Sequence, residues 1–455
     1  MTRRLLRVTV ALLFAAAAAC GDDDPGGPSG PLYREAVVEA NPHSLVAAAV
    51  RIRASGFDGA RIRAIAEGDT LDASPAFAFE GDSVARVPVL GLLPGREYAI
   101  EVRLLEGVTE AAVDTVEFAS GVLPDWIPSM SASGTGAPGL VALSLADGAV
   151  IIDNAGGVRW YRFSPNGNLN SFQAHANGTY TILDAADASA RIFRVLDLEG
   201  AEVGTLACVG RPTRFHDVQV LPDGTAWLLC DETRTMDLSA LGGDPAAQVT
   251  GTVVQRRRPD GTLDFEWNAF DHFAITDQPA ADRLGPSVNF THGNAVFLDT
   301  DGNLLLSFRS LNEVTKVAVP SGDVLWRLGG LAGGFAFAND PKGRFERQHG
   351  VRGAGPSVIQ MLDNGDAAPS RMVRYLVNPE TGVATMIWSF VDAPDLHTNI
   401  GGSTQPVATG GGLVSFGTEG RVVETDAAGN RRWEVLGLEG RYVFRAERIA
   451  SLYAP

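Results

Sequence analysis

Positive charge is what this chain is shortest of. Its 37 Lys and Arg face 54 Asp and Glu, a formal net charge of -17 and a pI near 4.9. A surface of that sign repels phosphate backbones and anionic lipids, so nucleic acid is excluded as a partner. An anionic substrate could be held only where cations are gathered locally. Cysteine is scarce as well, with three in 455 residues. Cys208 and Cys230 each lie in an apolar run (GTLAC, AWLLC), which favours buried free thiols over a disulfide, although an oxidising compartment would permit one. There is no H-E-x-x-H, no carboxylate-rich ligand cluster and no G-x-x-x-x-G-K-[ST], so the usual signatures of a zinc protease or a nucleotide-phosphate cradle are absent. Long apolar runs are missing after the first twenty residues. The 52 Gly and 25 Pro suit a folded chain rich in turns and poor in long helices.

The one apolar run, MTRRLLRVTVALLFAAAAAC, carries three arginines, about a dozen apolar residues and small residues ending in Cys20. That pattern predicts a signal peptide over residues 1–19, too short for a spanning helix of ~20 residues. Small residues before a single cysteine resemble a bacterial lipobox, although Ala17 stands where leucine is more usual. The resemblance implies lipidation at Cys20, followed by a polar linker over 20–31. A periplasmic or cell-surface lipoprotein, touching the membrane through its lipid alone, is the expectation.

Residues 32–120 alternate polar and apolar positions in short segments (VAAAVRIRA, ARIRAIAEG, REYAIEVRLLEG) with turns every ten residues or so. This predicts a small antiparallel β-sandwich. LGLLPGREYAIEVRL resembles the strand-corner-strand segment of fibronectin type III domains. With no cluster of reactive residues, it reads as a spacer or docking module. A linker is expected over 121–137.

From 138 to 455 the sequence repeats. Strands ending in Trp160, Trp267, Trp326, Trp388 and Trp433 recur at blade-like intervals, which predicts an all-β fold whose main domain is a six-bladed β-propeller. The Trp series is expected to be core. Seven blades stay open, because the interval between His216 and His292 is long. The C-terminal YVFRAERIASLY is expected to close the ring. Five histidines, His175, His216, His292, His349 and His397, open repeats, so they should line the central channel and converge at one mouth. Structural roles are expected for His175 and for the off-phase His43 and His272. In FTHGNAVFLDTDGNLLLSFRS the Asp-Gly turn folds Arg309 back beside His292, with Asn294 two residues along on the same face. DTDGN resembles half a calcium loop, but the misplaced Gly and missing twelfth-position Glu favour a hairpin turn.

FTHGNAV followed by LLLSFRSLNEVTKV, RQHGV followed by MLDNGD and SRMVRYLVNPETG, and the terminal FRAERIASLY together resemble the bacterial arylsulfate sulfotransferases. The resemblance covers roughly 138–455. It implies transfer of a sulfuryl group from an aryl sulfate donor to a phenolic acceptor by a ping-pong route, without a nucleotide donor or any cofactor. His349 matches the transiently sulfated nucleophile, His292 and Asn294 the His-x-Asn pair, Arg309 the sulfate-binding arginine, and His216 an earlier catalytic histidine. Thr398 matches a threonine that contacts the sulfuryl group. GVRGAGPSVIQ departs from the family's hairpin after the nucleophile, which puts the local geometry there in question. Neutral imidazole can attack sulfur, fixed donors can stabilise the charge, and a second imidazole can serve the phenol. Two other classes stay open: a metal-dependent hydrolase using the converging histidines, and a non-catalytic propeller that binds a surface partner. The oligomeric state, including a homodimer, is not set by the sequence.

Overall fold

The computed structural model describes residues 32–72, 77–79, 83–164, 171–186 and 191–454. The expected signal peptide and Cys20 lie outside the described residues. The chain is nearly all-β, and its only helices there are 3-10 turns of three or four residues. None is long and apolar enough to cross a membrane.

Residues Leu32–Ala119 form two antiparallel sheets. Strand alternation sends Val50, Ile52, Ile62, Ile100 and Val102 into one apolar core between them. Tyr98 sits in that core and donates its hydroxyl to Asp69, which also pairs with Arg159 of the following region. The tyrosine of the LPGREY corner therefore ties the small unit to the rest of the chain.

Six further sheets follow among the described residues. The first holds Leu140–Leu145, Gly148–Ile152 and Val158–Phe163, and takes Val443–Ile449 from the far end of the chain as a fourth strand. The second runs from Phe172–Ala174 to Glu202–Leu206, the third from Thr213–Val220 to Leu263–Asn268, and the fourth from Gly293–Leu298 to Val324–Gly329. The fifth begins at His349–Gly355 and includes Val383–Val391, and the sixth runs from Ser403–Pro406 to Arg431–Leu436. The strands Thr213–Val220, Gly293–Leu298, His349–Gly355, Ser403–Pro406 and Val443–Ile449 touch one another in that order.

Three expectations are corrected. The stretch 121–137 is not all linker: Ser131–Gly134 pairs with Arg431–Leu436 as the last strand of the sixth sheet. The series of six sheets is therefore fastened by chain from both ends, the C-terminal strand in the first sheet and this one in the sixth. Cys208 and Cys230 form a disulfide. The apolar runs bury Cys230 completely but do not keep the sulfurs apart, because the Cys208 segment passes beside the strand Ala226–Met236. Trp160, Trp267 and Trp433 are core, whereas Trp326 and Trp388 are half-buried and pack against the edge of apolar clusters.

Asp217 joins several of these sheets. Fully buried, it accepts from the amide of Val296 and from Gln173, and pairs with Arg352 at 3.1 Å and Arg445 at 2.9 Å. Residues of five sheets thus meet at one carboxylate, which the cations keep below the ordinary Asp range against its burial.

Candidate active site

Two His-Gly steps place the central imidazoles. Gly293 lies so close to Thr252 that a Cβ would stand 2.6 Å from its methyl, and its amide donates to the Thr252 hydroxyl at 2.8 Å. Thr291 Oγ1 also donates to Thr252 Oγ1, pinning the THGN segment to the third sheet. Gly350 has φ 62°, and a side chain there would meet the Ser403 backbone at 3.0 Å. In both places only glycine allows the neighbouring strand to approach. His292 and Arg347 occupy the left-handed region at φ 51° and 53°, each costing on the order of 1–2 kcal/mol for a residue with a Cβ.

The result is a cluster. The ring nitrogens of His216, His292 and His349 lie within 4.8 Å of one another. His216 and His292 face each other through Nε2 at 3.2 Å. His292 Nδ1 meets Asn289 Nδ2 at 2.7 Å. His349 Nδ1 meets Asn364 Oδ1 at 2.8 Å and the carbonyl of Arg347 at 3.1 Å. Phe215 stacks on His216 with ring centres 3.9 Å apart.

The departure after His349 does not disturb this geometry. Strands His349–Gly355 and Val358–Asp363 make a hairpin with irregular register, and His349 opens it opposite Leu362.

Arg309 lies where the hairpin was expected to bring it. Its amide donates to the His292 carbonyl at 3.1 Å. The guanidinium donates to the Asn399 carbonyl at 3.2 Å, while Nε is buried without a partner. The neighbouring cations are paired, Arg214 with Asp231 and Arg347 with Asp282 and Asp366. Arg309 has no ion pair among the described residues, and so carries the charge left over for an anion.

Asn294 and Thr398 sit differently from a simple reading. The register slips between Gly293 and Ala295, which breaks the alternation that would align Asn294 with His292. Asn294 Nδ2 donates to the Gln348 carbonyl at 2.6 Å, and its Oδ1 is buried without a partner. It ties the His292 strand to the residue before His349. The Thr398 hydroxyl accepts from the amide of Thr418 and faces its hydroxyl, while its carbonyl accepts from Asn364.

Two repeat-opening histidines stay outside the cluster. His175 is buried against Thr181 and the amide of Val220, and His397 faces the Gly365 carbonyl. Sequence reasoning missed Asn364, Asn289 and Asp217. Asn364 lies within the quoted MLDNGD and Asp217 follows His216 directly, but nothing in the sequence shows an amide meeting a ring, or a carboxylate gathering guanidinium groups, from other strands.

Burial and positive neighbours set the electrostatics. Burial first, with the Arg309 charge, pulls the His349 imidazole down to about 4 against the opposing hydrogen bonds. Burial and then the Arg214 and Arg309 charges hold His292 well below the ordinary histidine range, and burial and His292 do the same for His216. All three are neutral near pH 7. Three neutral imidazoles could meet one cation, but no carboxylate joins them and three guanidinium groups surround them, a setting that favours an anion. A cavity of about 450 Å³ lies beside Trp227 and Arg256, and one of about 270 Å³ beside Arg352 and Glu447. Neither is lined by the three histidines, so the site is placed by its side chains rather than by void space.

The family model described as arylsulfotransferase (ASST) matches residues 166–438, a span that includes all three histidines and Arg309. The chain belongs to the arylsulfotransferase family. No curated protein matches it. Among solved structures it is similar to a protein of unknown function from Bacteroides caccae (12% identity, TM-score 0.43, covering 68% of this chain and 98% of that one). It is also similar to a catalytically inactive virginiamycin B lyase from Staphylococcus aureus solved with quinupristin (10% identity, TM-score 0.39, covering 67% and 88%). Family membership supports aryl sulfotransfer in general.

Proposed function

We propose that this arylsulfotransferase moves a sulfuryl group from an aryl sulfate to a phenol through a sulfated His349. The observation that carries the reading is the meeting of three neutral imidazoles with one unpaired guanidinium. The Nε2 lone pair of His349 attacks sulfur, an N–S bond forms, and the S–O bond to the aryl group breaks. Arg309 holds the oxygens that stay on sulfur. The His216–His292 pair serves the aryl oxygen, giving it a proton as it leaves and taking one from the incoming phenol. Both rings are neutral in the free protein, so the incoming sulfate must raise their basicity. An anion set among Arg309, Arg214 and Arg347 offsets the charges that depress them.

On this reading the six sheets are blades of a propeller, and residues 32–120 are a sandwich domain in front of it. Asn294 and Thr398 support the site from behind, a role fitted to their contacts with Gln348 and Asn364. Cys20 would carry the lipid of an exported, tethered protein. Metabolic labelling with a fatty acid, lost in Cys20→Ser, tests the tether. Initial rates with 4-nitrophenyl sulfate and varied phenol test the route: parallel double-reciprocal lines are expected, and converging lines would rule out ping-pong transfer.

The three-imidazole cluster also supports the rival reading of a metal-dependent hydrolase. That reading requires activity to follow metal content.

A further inference from the structure

Two asparagines meet two of the catalytic-site imidazoles with opposite polarity. Asn364 is completely buried, and its Nδ2 donates to two carbonyls, Thr398 at 2.9 Å and Gly401 at 3.0 Å. An amide nitrogen has two N–H groups, so both are used and the amide cannot turn over without setting oxygen against two oxygens. Its Oδ1 therefore faces His349 Nδ1 as an acceptor. The second neighbour of that ring nitrogen, the Arg347 carbonyl, can only accept as well. Two acceptors at Nδ1 demand a proton there, and a neutral ring then has its lone pair at Nε2.

Asn289 is fixed the other way round. Its Oδ1 accepts from Arg214 Nη2 at 3.3 Å, so its Nδ2 is the atom 2.7 Å from His292 Nδ1. That ring nitrogen must accept, which leaves the His292 proton on Nε2, directed at His216 Nε2. His216 Nε2 then accepts and its proton lies on Nδ1. We propose that Asn364 and Asn289 are positioning residues that set opposite tautomers, giving His349 a nucleophilic Nε2 lone pair and His292 an Nε2–H aimed into the same cluster.

The assignment gives each ring its task before substrate arrives. A His349 ring protonated at Nε2 would present N–H to sulfur and could not attack. A neutral amide suits this role better than a carboxylate, which would stabilise the imidazolium and remove the lone pair. The proposal rests on the sulfotransfer reading for its purpose, but the tautomers themselves are independent of it.

The test is nitrogen-15 NMR of the protein with labelled histidine near pH 7.5, the two rings being assigned from spectra of His349→Gln and His292→Gln. A protonated Nδ1 with unprotonated Nε2 is expected for His349, and the reverse for His292. Nε2 protonation at His349, or the same tautomer in both rings, overturns the proposal. Kinetics give a second arm. Asn364→Leu removes the acceptor and should lower kcat by about 10- to 100-fold, as loss of such an orienting partner does, with KM within about threefold. Asn364→Asp keeps an acceptor, and with it the tautomer, at Nδ1, but its charge favours the imidazolium, so its rate should fall with decreasing pH from a higher pH than in wild type. If both variants fold and are equally slow with unaltered tautomers, Asn364 is a loop fastener and the proposal falls. The wild-type spectrum decides even where a variant does not fold. Correct tautomers without any sulfated His349 would remove the sulfotransfer mechanism and leave the assignment standing.

Discussion

Lowering the pH from 7.5 to 5.5 should hardly slow the first half-reaction. The nucleophile must be neutral, and burial among cations holds His349 at about 4. At pH 5.5 about 97% of such a ring is neutral, against about 9% of an unperturbed histidine near 6.5. The two cases differ tenfold in rate at a mild pH. The assay is rapid mixing with 4-nitrophenyl sulfate well below its KM and no acceptor, so that the rate reports the free protein, reading the burst of nitrophenol after alkaline quench; this leaving group asks for little proton help. Stability needs separate care. His349 at about 4 and His175 at about 3 both have folded values below the unfolded one. The unfolded chain therefore binds more protons below about pH 6.5, and their stabilisation, complete above that value, is lost as pH falls toward 4 and 3. At pH 5.5 the loss is about 1 kcal/mol for each, and His216 and His292 add in the same direction. The protein should be held at pH 7.5 and jumped to 5.5 only on mixing. A tenfold slower burst at pH 5.5 would refute the claim that a depressed His349 is the attacking group.

Arg309→Met should cost about a hundredfold or more in kcat/KM, as loss of one charge-stabilising donor does, while the melting temperature changes little because the side chain holds one protein partner, the Asn399 carbonyl; a loss under fivefold in steady-state assays contradicts the anion site. Replacing both Cys208 and Cys230 by Ala opens a loop with a sequence separation of 22, for which chain entropy predicts about 3 kcal/mol of lost stability; denaturant midpoints unchanged from wild type would show that the disulfide contributes nothing. Elemental analysis of purified protein and assay after chelation should show activity independent of metal; activity that disappears and returns with one added ion would establish the hydrolase reading instead.

The all-β class and the recurrence of strand-turn-strand units were legible because alternation and Trp phase are local properties of the chain. So was the return of Arg309 to His292, since an Asp-Gly turn counts residues on both sides equally. What stayed hidden came from across the fold or from unusual local backbone. Asn364 meets His349 only because a hairpin with irregular register brings its second strand alongside, and Asn289 meets His292 through a turn at positive φ that no propensity would favour. The strand at Ser131–Gly134 was read as linker because four small and polar residues carry no apolar signal; their pairing with Arg431–Leu436 supplies it. The cysteine pair shows the same limit: an apolar run tells that a thiol is buried, not what it is buried against. Histidine phase pointed to the strands Thr213–Val220, Gly293–Leu298 and His349–Gly355 but overstated convergence: His397 lies in a loop, and both it and His175 are taken up by neighbouring carbonyl, hydroxyl and amide groups outside the cluster.

The central claim is a covalent bond between His349 and sulfur. Brief exposure of the protein to an aryl sulfate without acceptor, digestion under alkaline conditions and mass spectrometry of the peptide bearing His349 measure it directly. The account predicts an added sulfuryl group on that ring, discharged by phenol and absent in His349→Asn. Full transfer activity with His349 unlabelled, or with the label on another residue, would contradict it.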